Sequence, residues 1–166
     1  MNAQPPLTGL IADANVLIDY AVSDRRLLTL ISRHIGRLYV PSPVLDEVQA
    51  LGAEEAQRHG CQEIEPTFSQ LTQAAAGGGA LSFQDWLCLI IAQDEGWAVL
   101  SNDGALRKAC GRASIDCIWG LEAMAILTDD DHLRPARAIR IAEKMAAQNP
   151  FLTPELLERF RRRVGL

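Results

Sequence analysis

Between residues 7 and 119 the chain alternates short apolar runs with longer stretches of helical apolar spacing, and no two runs are joined by a hairpin signal such as Asn-Gly. Strands that are not joined by hairpins need crossover segments, which make neighbouring strands parallel and place helices on both faces of the sheet. The runs are "LTGLIA" (7–12), "RLYV" (37–40), "CQEIE" (61–65), "WAVLS" (97–101) and "SIDCIW" (114–119). The expected fold is therefore α/β, a three-layer α/β/α arrangement with a mainly parallel central sheet.

The helical stretches carry their own punctuation. Residues 14–21 put Val16, Leu17 and Tyr20 on one face, and 24–36 open at Asp24 as N-cap and end at Gly36. Ser42 then precedes Pro43, a favoured first-turn proline, in a helix expected to run through Leu51. Residues 66–76 are helical up to the triple glycine at 77–79, whose glycines read as a flexible connection. Ser82 opens the clearest helix, 83–95, so apolar in its centre that it belongs inside the core. A helix over 103–111 and three more at about 120–127, 135–148 and 154–164 complete the chain.

At 166 residues the chain suits one domain burying about 70 % of its unfolded surface, with a core over about 8–127 and a helical extension over about 128–166. The first nine residues carry no basic patch and lead into no long apolar stretch, so neither a leader nor an anchor is expected there. The longest apolar run, Trp86 to Ala92, is far too short to span a bilayer. These features predict a cytoplasmic protein with no membrane partner. Four cysteines, at 61, 88, 110 and 117, form no Cys-x-x-Cys pair and are expected to stay reduced. His34, His59 and His132 are isolated from one another and from the cysteines, which argues against zinc.

Four acids fall beside strand ends: Asp13, Glu47, Asp85 and Asp103. Each has a structural explanation. Asp13 and Asp103 can N-cap the helices that follow them, Ser82 with Asp85 fits a capping box, and Glu47 can be solvated. Their joint placement is more informative. A helix over 83–95 runs roughly 20 Å and a strand over 97–101 returns about 17 Å, which brings Asp85 and Asp103 to one edge. Asp13 and Glu47 follow strands that end at that same edge, where open α/β sheets bind their ligands. Four clustered carboxylates repel unless protons or a cation neutralise them, and an all-oxygen set suits Mg²⁺ or Mn²⁺. Net charge is −5; setting the four acids aside leaves the rest of the chain close to neutral, so the acidity does not exclude a polyanionic substrate.

The segments "DANVLIDY", "PSPVLDEV", "LSFQDWLCLIIAQDEGWAVLSND" and "ACGRASIDCIWG" together resemble a PIN domain, including the toxin nucleases of type II toxin–antitoxin pairs. The resemblance covers about residues 8–127, and the terminal helices are similar to the extension of one PIN-like subgroup. It implies that Asp13, Glu47, Asp85 and Asp103 are the acidic metal-binding and catalytic cluster. It also implies that Asn15 and Ser101 are supporting polar residues, with serine keeping the hydroxyl of the threonine common at its position. The implied activity is Mg²⁺- or Mn²⁺-dependent endonucleolytic cleavage of RNA, in which a metal-activated water attacks the phosphodiester in line. The implied protein partner is a cognate antitoxin, and a homodimer is a separate expectation that the terminal helix leaves open.

Rival readings are separable. A haloacid-type phosphatase also places an aspartate after its first strand, but it needs Asp-x-Asp where this chain has Asp13-Ala14-Asn15. A nucleotide-binding module lacks its Gly-x-Gly-x-x-Gly turn between a strand and a helix. A catalytically inactive PIN-like module that binds a partner keeps the same fold and differs in having no turnover. Seven arginines between 134 and 163 leave room for a local basic face, although a solvated helix face is the simpler reading. The terminal helix, with Leu156, Leu157, Phe160 and Val164 on one side, reads as a packed element more readily than as a dimer or antitoxin surface.

Overall fold

The computed structural model describes residues 7–165; most of the leading segment read above as neither leader nor anchor lies outside them. The elements follow in the order β1 (Leu7–Ala12), α1 (Ala14–Ser23), α2 (Arg26–His34), β2 (Gly36–Pro41), α3 (Ser42–Leu45), α4 (Ala53–Arg58), β3 (Cys61–Ile64), α5 (Phe68–Ala76), α6 (Phe83–Glu95), β4 (Ala98–Leu100), α7 (Gly104–Arg112), β5 (Cys117–Ile118), α8 (Gly120–Asp129), α9 (Pro135–Gln148) and α10 (Pro154–Arg163). Among the described residues, no helix is long and apolar enough to cross a membrane.

The five strands form one sheet in the order β3-β2-β1-β4-β5, and every pairing is parallel. β1 is central, with Ile11 opposite Tyr39 of β2 on one side and Val99 of β4 on the other. The chain moves one way from β1 to β2 and β3, then crosses back to β4 and β5. Right-handed crossovers in opposite directions put their helices on opposite faces, which gives the α/β/α layering. One layer joins α1, α2, α8, α9 and α10; in the other, α6 packs on α5, α7, β1 and β4. Reversal of strand order at β1 opens a crevice at the carboxyl end of that strand.

The core runs through both layers. Leu10, Ile11, Val16, Leu17, Tyr20, Leu28, Leu100 and Met124 are fully buried. α6 buries every residue from Leu87 to Ala92, as its all-round apolar sequence requires. It ends at Gly96, whose φ of 70° places it in the left-handed region where a side chain is strained. A smaller cluster of Ala74, Leu87 and Ile90 ties α5 to α6. All four cysteines are free.

Several sequence expectations are corrected. The helix after β2 stops at Leu45 instead of running through Leu51. Past that point Glu47 and Val48 bond three residues back, to Val44 and Leu45, at 3.1 and 2.9 Å. The tighter winding keeps Val44, Leu45, Val48 and Leu51 all in the core. The Ser42 hydroxyl donates to Glu65 at 2.9 Å instead of capping. Asp24 ends α1, and Arg25 occupies the N-cap position of α2. Its carboxylate instead joins Arg26 and Arg137, the latter at 2.6 Å, and so ties the α1–α2 corner to α9. β5, one of the two edge strands, is only two residues long, Cys117–Ile118, instead of spanning 114–119.

Two further differences concern charged and titratable groups. His34 and His132, isolated in sequence, stack with ring centroids 3.5 Å apart. Four of the seven arginines between 134 and 163 are paired: Arg161, Arg162 and Arg163 with Glu143, Glu158 and Asp129, and Arg137 with Asp24, while Arg134, Arg140 and Arg159 are exposed and enter none of the ion pairs among the described residues. The apolar side of α10 packs as expected, with Phe160 and Val164 buried.

Candidate functional site

Asp13 stands at the carboxyl end of β1 and is 2 % exposed. Both of its oxygens are engaged. Oδ1 accepts the Val16 N–H at 2.9 Å, which makes Asp13 the N-cap of α1, and Oδ2 accepts the hydroxyl of Ser101. Ser101 follows β4, the strand paired with β1, and is fully buried. Its hydroxyl oxygen in turn accepts the Asp103 N–H at 3.0 Å, so its proton is directed to Asp13.

Asp103 caps α7 through Oδ1, which accepts the Leu106 N–H at 2.8 Å. Asp85 forms the reciprocal capping box with Ser82: each side chain accepts the other residue's backbone N–H, both at 3.1 Å. At Asp85 and Asp103 capping and ligand-binding are thus compatible, because each cap uses one carboxylate oxygen. Oδ1 of Asp85, Oδ2 of Asp103 and both oxygens of Glu47 have no hydrogen-bond partner among the described residues.

Asp13, Glu47 and Asp85 line one cavity of about 240 Å³, together with Asn15, Ser82 and Cys88. Asp103 lines an adjoining cavity of about 450 Å³, and Asn15 borders both. The four acids predicted to cluster therefore divide into three around one cavity and one at its neighbour. Among the described residues no three acids form a ready-made metal cage. The helix caps fix the directions of Asp13, Asp85 and Asp103, while Glu47 is exposed beyond the single turn of α3.

Electrostatics couple the two cavities. Burial pushes Asp13 up to about 7, with the Asp85 and Asp103 charges adding to the rise and the bonds from Ser101 and Val16 opposing it. Glu47 is also raised, by desolvation and then by Asp85. None of the ion pairs among the described residues involves these four acids. The donor set is all oxygen, its charge is uncompensated, and free oxygens remain after every cap is satisfied. These residues fit a hard divalent cation.

A polar network along the Asp103-side cavity escapes the motif reading. Asp19, only 6 % exposed, accepts the Asn102 amide at 2.8 Å and the Asn149 amide at 3.0 Å on the same oxygen. Asn102 also accepts the Gly120 N–H at 2.9 Å, and the Tyr20 hydroxyl donates to the Gly120 carbonyl at 2.8 Å. The available signal was an acid lodged in the apolar string "VLIDY", where a solvated face has no place. No protein-family model matches the chain, and no curated protein sequence matches it closely.

Proposed function

We propose that the protein is a Mg²⁺- or Mn²⁺-dependent endoribonuclease of the PIN-like type, acting as the toxin of a toxin–antitoxin pair. The observation that carries the metal-dependent chemistry is the Asp13–Ser101–Asp103 chain at the reversal of strand order, which fixes a buried carboxylate in an uncompensated acidic crevice. The toxin assignment and an antitoxin partner rest on the motif resemblance alone, and a homodimer on the terminal helix read from the sequence.

Asp13, Asp85 and Glu47 would hold the ion, with Asp103 reaching it from the adjoining cavity. A bound Mg²⁺ or Mn²⁺ supplies an acidified water and positive charge beside the phosphodiester. Ser101 keeps one Asp13 oxygen in place by donating to it, while Val16 holds the other. Nearby positive charge favours the ionised form of Asp13, which burial otherwise opposes. The uncommitted oxygens of Asp85 and Asp103 can accept a proton or a hydrogen bond from the attacking water. Asn15, exposed at the border of the two cavities, offers an amide donor to the substrate phosphate.

Cleavage of a mixed RNA pool with Mn²⁺ or with chelator tests the reading. Activity should require the metal, and Asp13→Asn should abolish it while circular dichroism stays native. Full activity in that variant, or cleavage indifferent to chelator, rejects the proposal.

A further inference from the structure

The cavity on the Asp103 side contains a buried acid that the chemistry above does not use. Asp19 lines it, and both amides bonded to Asp19 converge on Oδ2. Oδ1 has no hydrogen-bond partner among the described residues, so one carboxylate oxygen is uncommitted in a side chain more than nine-tenths buried.

The wall also carries apolar side chains, among them Ile18, Leu152 and Leu156, and two aromatic groups with less ordinary placements. Phe151 is 82 % exposed yet firmly tied down. Asn149 accepts the Phe151 N–H at 3.0 Å while its amide holds Asp19, so one side chain fixes the aromatic ring's backbone to the buried acid. Trp119 also lines the cavity, and its indole N–H is buried without a partner among the described residues. Arg107 lies 4.0 Å over the Trp119 ring and enters none of the ion pairs among the described residues.

We infer that this cavity binds an unpaired RNA base beside the scissile phosphate, with the base stacked on Phe151 and its edge donating to Asp19. This assignment rests on the ribonuclease reading. Aromatic faces take bases of any sequence, and a side-chain acceptor reads the base edge. Asn15 borders both this cavity and the acidic crevice, and Asp103 lines this one, so a base held here has its phosphate next to the acids. Asp19 also sets a preference. Guanine presents N1–H and N2–H₂ side by side, whereas uracil flanks its single N3–H with two carbonyl oxygens that a carboxylate repels. Guanine should bind best and uracil worst. An apolar protein face is a poorer occupant, since it would cover the free Asp19 oxygen without bonding it.

Binding of 5′-GMP and 5′-UMP, followed by the NMR signal of the Trp119 indole N–H, tests this without turnover. GMP should shift the signal and bind more tightly than UMP. Phe151→Ala should weaken GMP about tenfold, in line with the loss of one stacking contact, and leave Mn²⁺ affinity unchanged. Asp19→Asn should bring GMP and UMP toward parity; because it can disturb the two asparagines, the exposed Phe151 variant is the decisive one. An absent GMP shift, or a Phe151→Ala protein that binds both nucleotides as the parent does, overturns the assignment. So does a Phe151→Ala change that only converts a dimer to a monomer, which would give the surface to a second copy. RNA-pool cleavage that fails while GMP still binds selectively sinks the ribonuclease reading and leaves a nucleotide site here.

Discussion

Ser101 binds Asp13 with its hydroxyl proton and Asp103 with its hydroxyl oxygen, so a single buried side chain sets the spacing of two acids from different strand ends. Replacing it with alanine leaves the Asp13 oxygen and the Asp103 N–H without that partner. Ser101→Ala should cost about 1–3 kcal/mol of stability. It should also weaken Mn²⁺ binding by roughly 10- to 100-fold, as losing a partner of a metal ligand does. Urea unfolding and calorimetric titration measure the two effects. A variant that loses stability but keeps full metal affinity would assign Ser101 to packing alone.

Asp13 makes the metal-free protein's stability depend on pH in an unusual direction. Its folded value of about 7 lies above the ordinary 3.8, so the folded state holds a proton that the unfolded state has released between those values. Stability from this group is complete below about pH 4, falls as pH rises toward 7, and is level above. At 1.36 kcal/mol per unit the swing is roughly 4 kcal/mol. Asp13→Asn removes it, so in chelator the variant should be more stable than the parent at pH 8, with the advantage shrinking by pH 5. Asp24 and Asp129, whose arginine partners act the opposite way, contribute equally to both proteins and cancel. Parallel pH profiles for the two proteins would refute the shift.

How much of this was legible in the sequence depends on the range of the forces involved. The strand and helix pattern, the Ser82–Asp85 box and the buried α6 are local signals and appear where the spacing puts them. The convergence of acids at one edge followed from helix and strand lengths. The division of those acids between two cavities did not, because it depends on side-chain direction. The early end of α3 was hidden too, since winding there yields to burial of Val48 and Leu51. The Asp19–Asn102–Asn149 network joins residues up to 130 apart in sequence, and the His34–His132 stack likewise spans distant segments. No periodicity encodes such contacts.

Gly120 has to be glycine because two partners crowd it. A Cβ there would stand 2.9 Å from Asn102 Oδ1 and 3.1 Å from the Tyr20 hydroxyl. Gly120→Ala should therefore push Asn102 away from Asp19 and the backbone away from Tyr20, at a cost of about 1–3 kcal/mol. Tyr20→Phe, which deletes one hydrogen bond and leaves the Gly120 carbonyl without it, should cost about 1 kcal/mol and keep Asn102 in place. Equilibrium unfolding ranks the two, and an unaffected Gly120→Ala protein would mean that the corner is slack.

Metal binding should itself report the protonation of Asp13. With Mn²⁺ at 100 times its dissociation constant, stabilisation is about 2.7 kcal/mol, a rise in melting temperature of roughly 5–10 °C for a domain of this size. Below pH 7 Asp13 must give up its proton before it can serve as a ligand, so affinity should fall toward tenfold per pH unit and protons should be released on binding. Above pH 8 that dependence on Asp13 should vanish. Asp85→Asn and Glu47→Gln should shrink the thermal shift at every pH, because each removes an oxygen charge from the same cavity. Calorimetry in buffers of different ionisation enthalpy counts the released protons. Binding that is independent of pH between 6 and 8 would show that the ion does not displace a proton from Asp13. No Mn²⁺ or Mg²⁺ response in the parent protein would leave the crevice as a set of helix caps.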